Sequence, residues 1–190
     1  MSNKESQHFS NDGNLHLNHQ LTKHYAQHLN LPPTNESYPS SFAPAPVIET
    51  TVPVNTNASA SDEFPMFPVG AAIDGVRNTN SNYWLSGQPT AYITLVFPSP
   101  ISLAGIRLYI GNVFIFDQIF NIKVEKRLEN GSFQPLNGNG YNITVPGNAT
   151  AIPSEHLWIE FGTYEVIRVT YTNLSTSSPL PVHELMLLQQ

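Results

Sequence analysis

Residues 91–110 read AYITLVFPSPISLAGIRLYI, which is two alternating apolar segments on either side of Pro-Ser-Pro. In the first segment the apolar side chains of Ile93, Leu95 and Phe97 fall at every second position. A period of two places these side chains on one face of a strand, and that face is expected to pack against a core. Because proline is disfavoured in central strands and favoured in turns, residues 98–100 are expected to form a loop between two strands.

The same alternation returns in the later part of the chain, where it predicts further short strands. These segments are residues 120–125, 157–161, 167–171 and 184–188. Connectors rich in glycine, proline and asparagine separate them, and Asn130-Gly131 between two apolar segments indicates a β-hairpin. Many short strands without a helical pattern between them favour an all-β fold over residues 62–190, a jelly-roll β-sandwich.

Residues 1–61 differ in texture, since Asn, Ser, Thr, Pro and His dominate and bulky apolar residues are few. The prolines oppose long helices and central strands, so this segment is expected to be an extended N-terminal arm. Within it, apolar side chains recur at every fourth position of residues 15–30, namely Leu17, Leu21, Tyr25 and Leu29. This spacing predicts a short helix that docks on a protein partner or on another copy of the chain.

The predicted helix also carries His24 and His28, which are four residues apart. On one helical face, this spacing brings two imidazoles within reach of a single metal ion. The alternative is a polar helix that uses histidine without binding metal. No cysteine or carboxylate lies nearby at a spacing that would complete a metal site.

The composition excludes some classes of protein. The chain has 190 residues and a formal net charge of -6, with 12% charged residues. A nucleic-acid-binding protein needs a basic face, so this balance argues against that class. The absence of cysteine excludes disulfides and thiolate metal sites. No apolar run has the length of a membrane span, and residues 1–31 lack the apolar core of a secretory signal. The expected location is a virion surface, or the cell exterior by a non-classical route.

A series of motifs follows the order and spacing of a known family. The motifs are Ala72-Ile73-Asp74-Gly75 with Trp84, residues 91–97, Leu103–Leu108, Val124–Lys126 with Asn130-Gly131, Glu165–Val169 and Val182–Leu187. From about residue 69 onward, the chain resembles the discoidin family, also called coagulation factor 5/8 type C domains. The resemblance implies the galactose-binding-like fold that this family shares with several carbohydrate-binding modules. Two departures are Val76, where the family often has Asn, and an insertion before Trp84.

The resemblance also implies a structural Ca²⁺ between the first loop and the last strand. A hard cation prefers several oxygen ligands, including carboxylates and main-chain carbonyls. The residues that match this site are Asp74 and Glu184 for charge, Thr79 for a hydroxyl, and Ala71 and Val76 for carbonyls. The alternative is that Asp74 and Thr79 cap a tight turn while Glu184 pairs with an arginine.

The resemblance places the ligand surface on loops at one end of the sandwich. The candidate ligand-binding residues are Asn82, Tyr83, Trp84 and Gln88 in the first loop, Asn112, Phe114, Phe116 and Asp117 in the third loop, and Tyr141 with Asn142 nearby. An aromatic ring supports the C–H face of a sugar while amide and carboxylate groups bind its hydroxyls. Two alternatives to sugar binding stay open. In the first, Trp84 is a core residue. In the second, the apolar stretch 111–116 packs inward, contacts a protein or inserts into a membrane.

The sequence contains no hydrolase nucleophile motif, zinc-protease motif or phosphate-binding loop, so an enzyme is not expected. The first predicted function is a non-catalytic carbohydrate-binding or adhesion module, displayed on a larger assembly through residues 1–61, with a glycan or glycoprotein as partner. The second is a virion or phage structural protein, in a decoration, tail or baseplate, whose sandwich contacts proteins. Homo-oligomers formed through the arm would suit multivalent capture, whereas nucleic acid and membrane insertion are not expected.

Overall fold

The structure, a computed structural model, describes residues 46–77 and 82–190. These residues form nine strands: β1 (Ile48–Thr51), β2 (Asn57–Ala60), β3 (Thr90–Ile110), β4 (Gln118–Arg127), β5 (Phe133–Pro135), β6 (Tyr141–Val145), β7 (Ile152–Pro153), β8 (Leu157–Asn173) and β9 (Val182–Gln189). The only helical element within those two ranges is a 3-10 turn at Val69–Ala72. The all-β class expected from the alternating pattern is therefore confirmed.

The strands pair antiparallel, and the main path of the sheet runs β1-β9-β3-β8-β4-β5. β2 and β7 pair with β3, while β6 pairs with β4. β3 and β8 are long, at 21 and 17 residues, and each contributes to both layers of the sandwich. Their pairing shifts register between Val96 and Ile101, on either side of residues 98–100. The predicted loop is thus a bend within one long strand, because the prolines interrupt the ladder locally.

This bend returns both ends of β3 to the same end of the sandwich. Val182, at the start of β9, pairs with Ile110 at the end of β3. Val182 also bridges Trp84, shortly before β3 begins. Thr90, at the start of β3, pairs with Thr172 near the end of β8. The loops before β3, after β3 and after β8 therefore lie together at one end, called the loop end below.

The core lies between the two layers and includes Trp84, Leu95 and Phe120 among its fully buried side chains. β9 departs from the predicted alternation, since every residue from Val182 to Leu188 is buried. Its outer face is covered by the loop before residue 78, where the Arg77 guanidinium lies 3.4 Å from Met186 Sδ. A strand covered on both faces stabilises the sandwich by burying twice the apolar area of a solvent-facing strand.

β1 and β2 lie inside the segment predicted to be an arm, so the predicted boundary at residue 62 is too late. β1 pairs with β9, and β2 pairs with β3. The sequence of β1, Ile-Glu-Thr-Thr, lacks an apolar period. β2, Asn-Ala-Ser-Ala, alternates, but its core-facing side chains are only the small Ala58 and Ala60, which give a weak signal. The folded unit includes the described chain from residue 46 onward.

Two other predictions concern the same half of the chain. The predicted helix at residues 15–30 and the His24–His28 pair lie outside the described residues. Within the part of the chain that the structure describes, no helix has the length and apolarity to cross a membrane.

The Asn130-Gly131 hairpin is confirmed, because β4 and β5 pair on either side of it and Gly131 has a positive φ of 82°.

Candidate functional site

Four loops gather at the loop end of the sandwich. They comprise residues 82–89, 111–117, 146–149 and 174–181. Backbone hydrogen bonds join them, with the Asn173 amide donating to the Pro89 carbonyl and the Asn112 amide to the Ala149 carbonyl, both at 2.8 Å. This is the end at which the resemblance places the ligand surface, and most of the predicted ligand residues belong to these loops.

Asn112 is not available to a ligand, because it is only 3% exposed. Its Nδ2 donates to the carbonyls of Phe116 and Val145, at 2.9 and 3.1 Å. Its Oδ1 accepts from the Phe114 amide at 3.0 Å and from Gln118 Nε2 at 3.2 Å. The prediction that Asn112 binds sugar hydroxyls is therefore wrong, since its side chain is committed to holding the loop after β3.

The loop that Asn112 holds presents apolar side chains to solvent. Val113, Ile115 and Phe116 are 68%, 84% and 49% exposed. Phe114 is half-buried, and its ring lies 5.7 Å from the Phe116 ring with a tilt of 34°. The alternative in which this stretch packs inward is wrong for the three exposed residues. An apolar tip with a phenylalanine pair at its base thus faces outward.

Polar groups flank this tip. Asp117 is exposed, and its Oδ1 accepts a hydrogen bond from the Gly147 amide at 3.0 Å. Gln88 is also exposed, and its main-chain carbonyl is held by the hydroxyls of Ser86 and Tyr171. The backbone of Gln88 is therefore fixed while its side-chain amide faces solvent. Both predicted residues lie on loops of the cluster.

Tyr141 and Asn142 do not join the cluster. Tyr141 pairs with Ile122, four positions along β4 from the loop end, which is about 13 Å at ~3.3 Å per residue. Its hydroxyl donates to the Trp158 carbonyl at 3.0 Å. Asn142 accepts from Asn121 Nδ2 at 2.8 Å. The prediction that these two residues contribute to the ligand surface is wrong, because β6 carries them toward the middle of the sheet.

Trp84 is a core residue and not a ligand platform, since it is 1% exposed. Its Nε1 donates to the Asp62 carbonyl at 3.2 Å, and its ring packs edge-on against Tyr171 at 5.7 Å. The neighbouring Tyr83 is half-buried and stacks on Phe67, with centroids 4.5 Å apart and planes 9° apart. Tyr83 therefore stays at the loop end, whereas Trp84 anchors the loop from below.

Sequence reasoning missed a second apolar surface beside Tyr83. Phe64 and Met66 are 45% and 79% exposed. Hydrogen bonds between Phe64 and Leu85 and between Leu85 and Phe67 place this segment against the loop before β3. The segment was assigned to no element because its prolines interrupt any period. The available signal in the sequence was the pair Met66-Phe67 between Pro65 and Pro68.

The predicted metal residues surround a buried carboxylate. Glu184 is 0% exposed, and its Oε2 accepts from the Gly75 amide at 2.8 Å. Its Oε1 is buried without a hydrogen-bond partner. Asp74 is exposed and accepts from the Val76 amide at 2.9 Å and from Asn82 Nδ2 at 2.8 Å. The pKa of Glu184 is raised to about 7, mainly by burial and also by the charge of Asp74, while the Gly75 hydrogen bond and the charge of Arg77 oppose the rise.

These residues fit a hard cation, because a buried carboxylate oxygen without a partner is costly unless a positive charge approaches it. Arg77 does not supply that charge directly, since it pairs with Glu49 at 3.3 Å. Ala71 is buried in the 3-10 turn and Val76 is exposed, while Thr79 lies outside the described residues. Among the described residues no three carboxylate, histidine or cysteine side chains converge, so carbonyl and hydroxyl oxygens would have to complete the shell.

The opposite end of the sandwich carries an open cleft of about 680 Å³. It is lined by the bend of β3 and β8 and by the end of β4, and includes Lys126, Glu160 and Phe161. The charges of its lining are mixed, and none of the predicted ligand residues lies there. The loop end is therefore the better candidate for the site.

Comparisons with known proteins agree on the architecture. No family model and no curated protein sequence matches the chain. Among solved structures, the chain is similar to a chitosan-binding module of a chitosanase/glucanase from Paenibacillus sp. IK-5, with 15% identity, a TM-score of 0.53, and coverage of 74% of this chain and 99% of that one.

Two further structures are the CBM32 of AlyQ in complex with 4,5-unsaturated mannuronic acid and the family 32 CBM of C. perfringens NanJ in complex with galactose. Their identities are 17% and 19%, and their TM-scores are 0.54 and 0.51. The matches cover 74% and 75% of this chain and 97% and 100% of those chains. The chain therefore has the galactose-binding-like β-sandwich fold that its resemblance to the discoidin family predicts.

Proposed function

We propose that this protein is a non-catalytic module that binds a glycan, or the glycan of a glycoprotein, through its loop end. The observation that carries the proposal is the exposed Phe116 ring beside Phe114, held in place by the buried Asn112. The solved structures of the same fold support the class of ligand, because two of them are complexes with sugars and one is a chitosan-binding module.

The loop end offers the two kinds of contact that a sugar needs. The half-exposed ring of Phe116 can pack against the C–H face of a pyranose, which buries apolar area on both partners. The carboxylate of Asp117 and the amide of Gln88 are exposed polar groups suited to hydroxyls. In the loop before β3, Tyr83 stacks on Phe67, and Asn82 donates a hydrogen bond to Asp74. Specificity for one sugar would come from the placement of these polar groups.

The test compares two phenylalanine variants, Phe116→Ala at the loop end and Phe161→Ala at the opposite end, where Phe161 is 57% exposed. The wild-type protein is screened on a glycan array and then titrated with the best ligand. We expect Phe116→Ala to weaken binding roughly tenfold or more, because it removes the stacking surface. Phe161→Ala should bind as the wild type does. A blank array at high protein concentration, or an equal loss in both variants, would contradict the proposal.

We also propose that Asp74 and Glu184 hold a structural Ca²⁺, together with the carbonyls of Ala71 and Val76 and the hydroxyl of Thr79. The support is the buried Glu184 oxygen that lacks a hydrogen-bond partner. The cation would supply the positive charge that this carboxylate needs and would tie the first loop to β9. Ca²⁺ is favoured over softer metals because only oxygen ligands are offered.

A second function is favoured by the exposed aliphatic side chains of Val113 and Ile115, which suit a protein surface better than a sugar. In this alternative the protein is a structural component of a virion or phage, and its loop end contacts another protein. Display on a larger assembly through residues 1–45, with self-association through the same segment, belongs to both functions. A blank glycan array together with self-association that is lost on removing residues 1–45 would favour this alternative.

A further inference from the structure

A chain of three buried amide side chains runs beneath the loop end. Asn112, Gln118 and Asn173 are 3%, 1% and 8% exposed. Gln118 Nε2 donates to Asn112 Oδ1 at 3.2 Å, and Asn173 Nδ2 donates to Gln118 Oε1 at 2.7 Å. Burying three amides is unfavourable unless each is hydrogen-bonded, so their mutual satisfaction is the condition under which this arrangement is stable.

The two ends of this amide chain lie in different loops. Asn112 binds the main chain of residues 111–117, as described above. Asn173 Oδ1 accepts from the amides of Ser175 and Thr176 at 2.8 and 3.0 Å, and its Nδ2 donates to the Ser178 carbonyl at 2.8 Å. Gln118, the first residue of β4, therefore links the loop after β3 to the loop after β8.

A third loop is docked directly on the phenylalanine pair. The Asn148 amide donates to the Phe114 carbonyl, and the Gly147 amide donates to Asp117 Oδ1. A Cβ atom at Gly147 would overlap the main-chain carbonyl of Ile115, far inside van der Waals contact. Only glycine permits this approach, so residues 146–149 pack backbone to backbone against the loop that carries the phenylalanines.

We propose that the amide chain of Asn112, Gln118 and Asn173 couples these loops into one rigid unit and so positions the Phe114–Phe116 pair for its ligand. Gln118 and Asn173 are positioning residues that act through the loops and do not touch the ligand. The proposal rests on the proposed glycan-binding function. Its physical basis is that a satisfied buried polar network is rigid, and a loop that is already ordered loses less entropy when a ligand binds.

The test uses Gln118→Met, which roughly keeps the side-chain volume and removes both hydrogen bonds of the amide chain, to Asn112 and to Asn173. The matched control is Asn137→Leu, which removes a half-buried side-chain amide away from the loop end. The Oδ1 of Asn137 accepts a hydrogen bond from the Val124 amide, and its Nδ2 donates one to the Ile122 carbonyl. Hydrogen exchange of backbone amides and glycan titration are measured for both variants and for the wild type.

We expect Gln118→Met to raise exchange at residues 113–117 and also at 174–178 by tenfold or more, while β3 and β8 keep their protection. Glycan affinity should fall roughly tenfold in the same variant, because the phenylalanine pair must then be ordered on binding. In Asn137→Leu neither the exchange of these loops nor the affinity should change.

A second variant keeps the test decisive if Gln118→Met does not fold. Gly147→Ala leaves all three amides intact but must displace the backbone of residues 115–116. We expect it to weaken glycan binding while leaving the protection of residues 174–178 unchanged, because the amide chain that holds them is intact. Loss of protection at residues 174–178 with all three amides in place would overturn the role of the amide chain.

Each outcome separates the two proposals. Loosening confined to residues 113–117, or equal to that in the control, would overturn the coupling even if the glycan binds. Loosened loops with unchanged affinity would overturn the positioning role. Loosening of both loops in a protein whose wild type binds no glycan would support the coupling and overturn the proposed function.

Discussion

Glu184 illustrates at the scale of one residue how burial sets a pH dependence. Mainly because of burial, the pKa of its carboxyl group is raised from the ordinary 4.5 to about 7; Asp74 adds to the rise, while the Gly75 hydrogen bond and Arg77 oppose it. The folded state therefore binds this proton more tightly than the unfolded chain. The stability that this proton contributes is fully present below about pH 4.5 and is lost as the pH rises through 7.

We expect Glu184→Gln to remove this loss. Thermal and urea unfolding in the presence of a chelator should show the variant to be more stable than the wild type at pH 8, by an amount on the order of 3 kcal/mol, and nearly equal to it at about pH 4. Added Ca²⁺ should raise the melting temperature of the wild type at pH 8 but not that of the variant. Equal stabilisation of both proteins by Ca²⁺ would contradict the metal proposal, and an equal loss with pH would contradict the assigned burial cost.

Residue type alone did not separate ligand residues from structural ones. Trp84 and Asn112 have side chains suited to sugar binding, yet both are buried and committed to contacts within the protein. Ile115 is a typical core residue, yet it is 84% exposed. Whether a loop residue faces inward depends on long-range contacts such as Asn112 to Val145, and no local period encodes those contacts.

At the scale of elements, the start of the folded unit can be tested by truncation. A protein comprising residues 46–190 keeps β1 and β2, whereas residues 62–190 lack both. Without β1, the edge of β9 is exposed, and because this strand is rich in apolar residues and buried on both faces, we expect the open edge to pair with other chains.

We expect residues 46–190 to unfold cooperatively at the same urea midpoint as the full chain. Residues 62–190 should be insoluble or destabilised by about 3 kcal/mol or more, since the backbone hydrogen bonds of two strands are lost. Soluble expression, gel filtration and urea unfolding of the three proteins are the measurements. Equal midpoints for the two truncated proteins would show that β1 and β2 are dispensable.

The elements that the sequence predicted well are those whose pairing and burial agree. β3, β4 and β8 alternate apolar and polar residues because one face packs on the core and the other meets solvent. β1 and β2 were missed because both are short, and the core-facing side chains of β2 are only the small Ala58 and Ala60. The buried outer face of β9 was missed because it is covered by a loop far away in sequence, whose Arg77 contacts Met186.

At the scale of the whole molecule, the sandwich has two ends that carry different elements. The loop end gathers the proposed ligand surface. Ile48, at the start of β1, pairs with Gln189. From there β1 runs to Thr51, which pairs with Met186. Met186 in turn pairs with Arg107, which is nearer the loop end of β3. β1 therefore begins at the end of the sandwich away from the loop end and runs toward the loop end.

This polarity can be tested by attachment, because the chain has no cysteine of its own. Asn130→Cys places a thiol on the exposed β4–β5 hairpin at the far end, and Val113→Cys places one on the loop tip, where Val113 is 68% exposed. Each variant is immobilised through its thiol and exposed to the glycan, and each is also capped with a small reagent and titrated in solution. We expect both capped variants to bind, and only the protein immobilised through Asn130→Cys to capture the glycan, because the other attachment blocks the loop end. Equal capture by both immobilised proteins would place the ligand surface elsewhere on the sandwich.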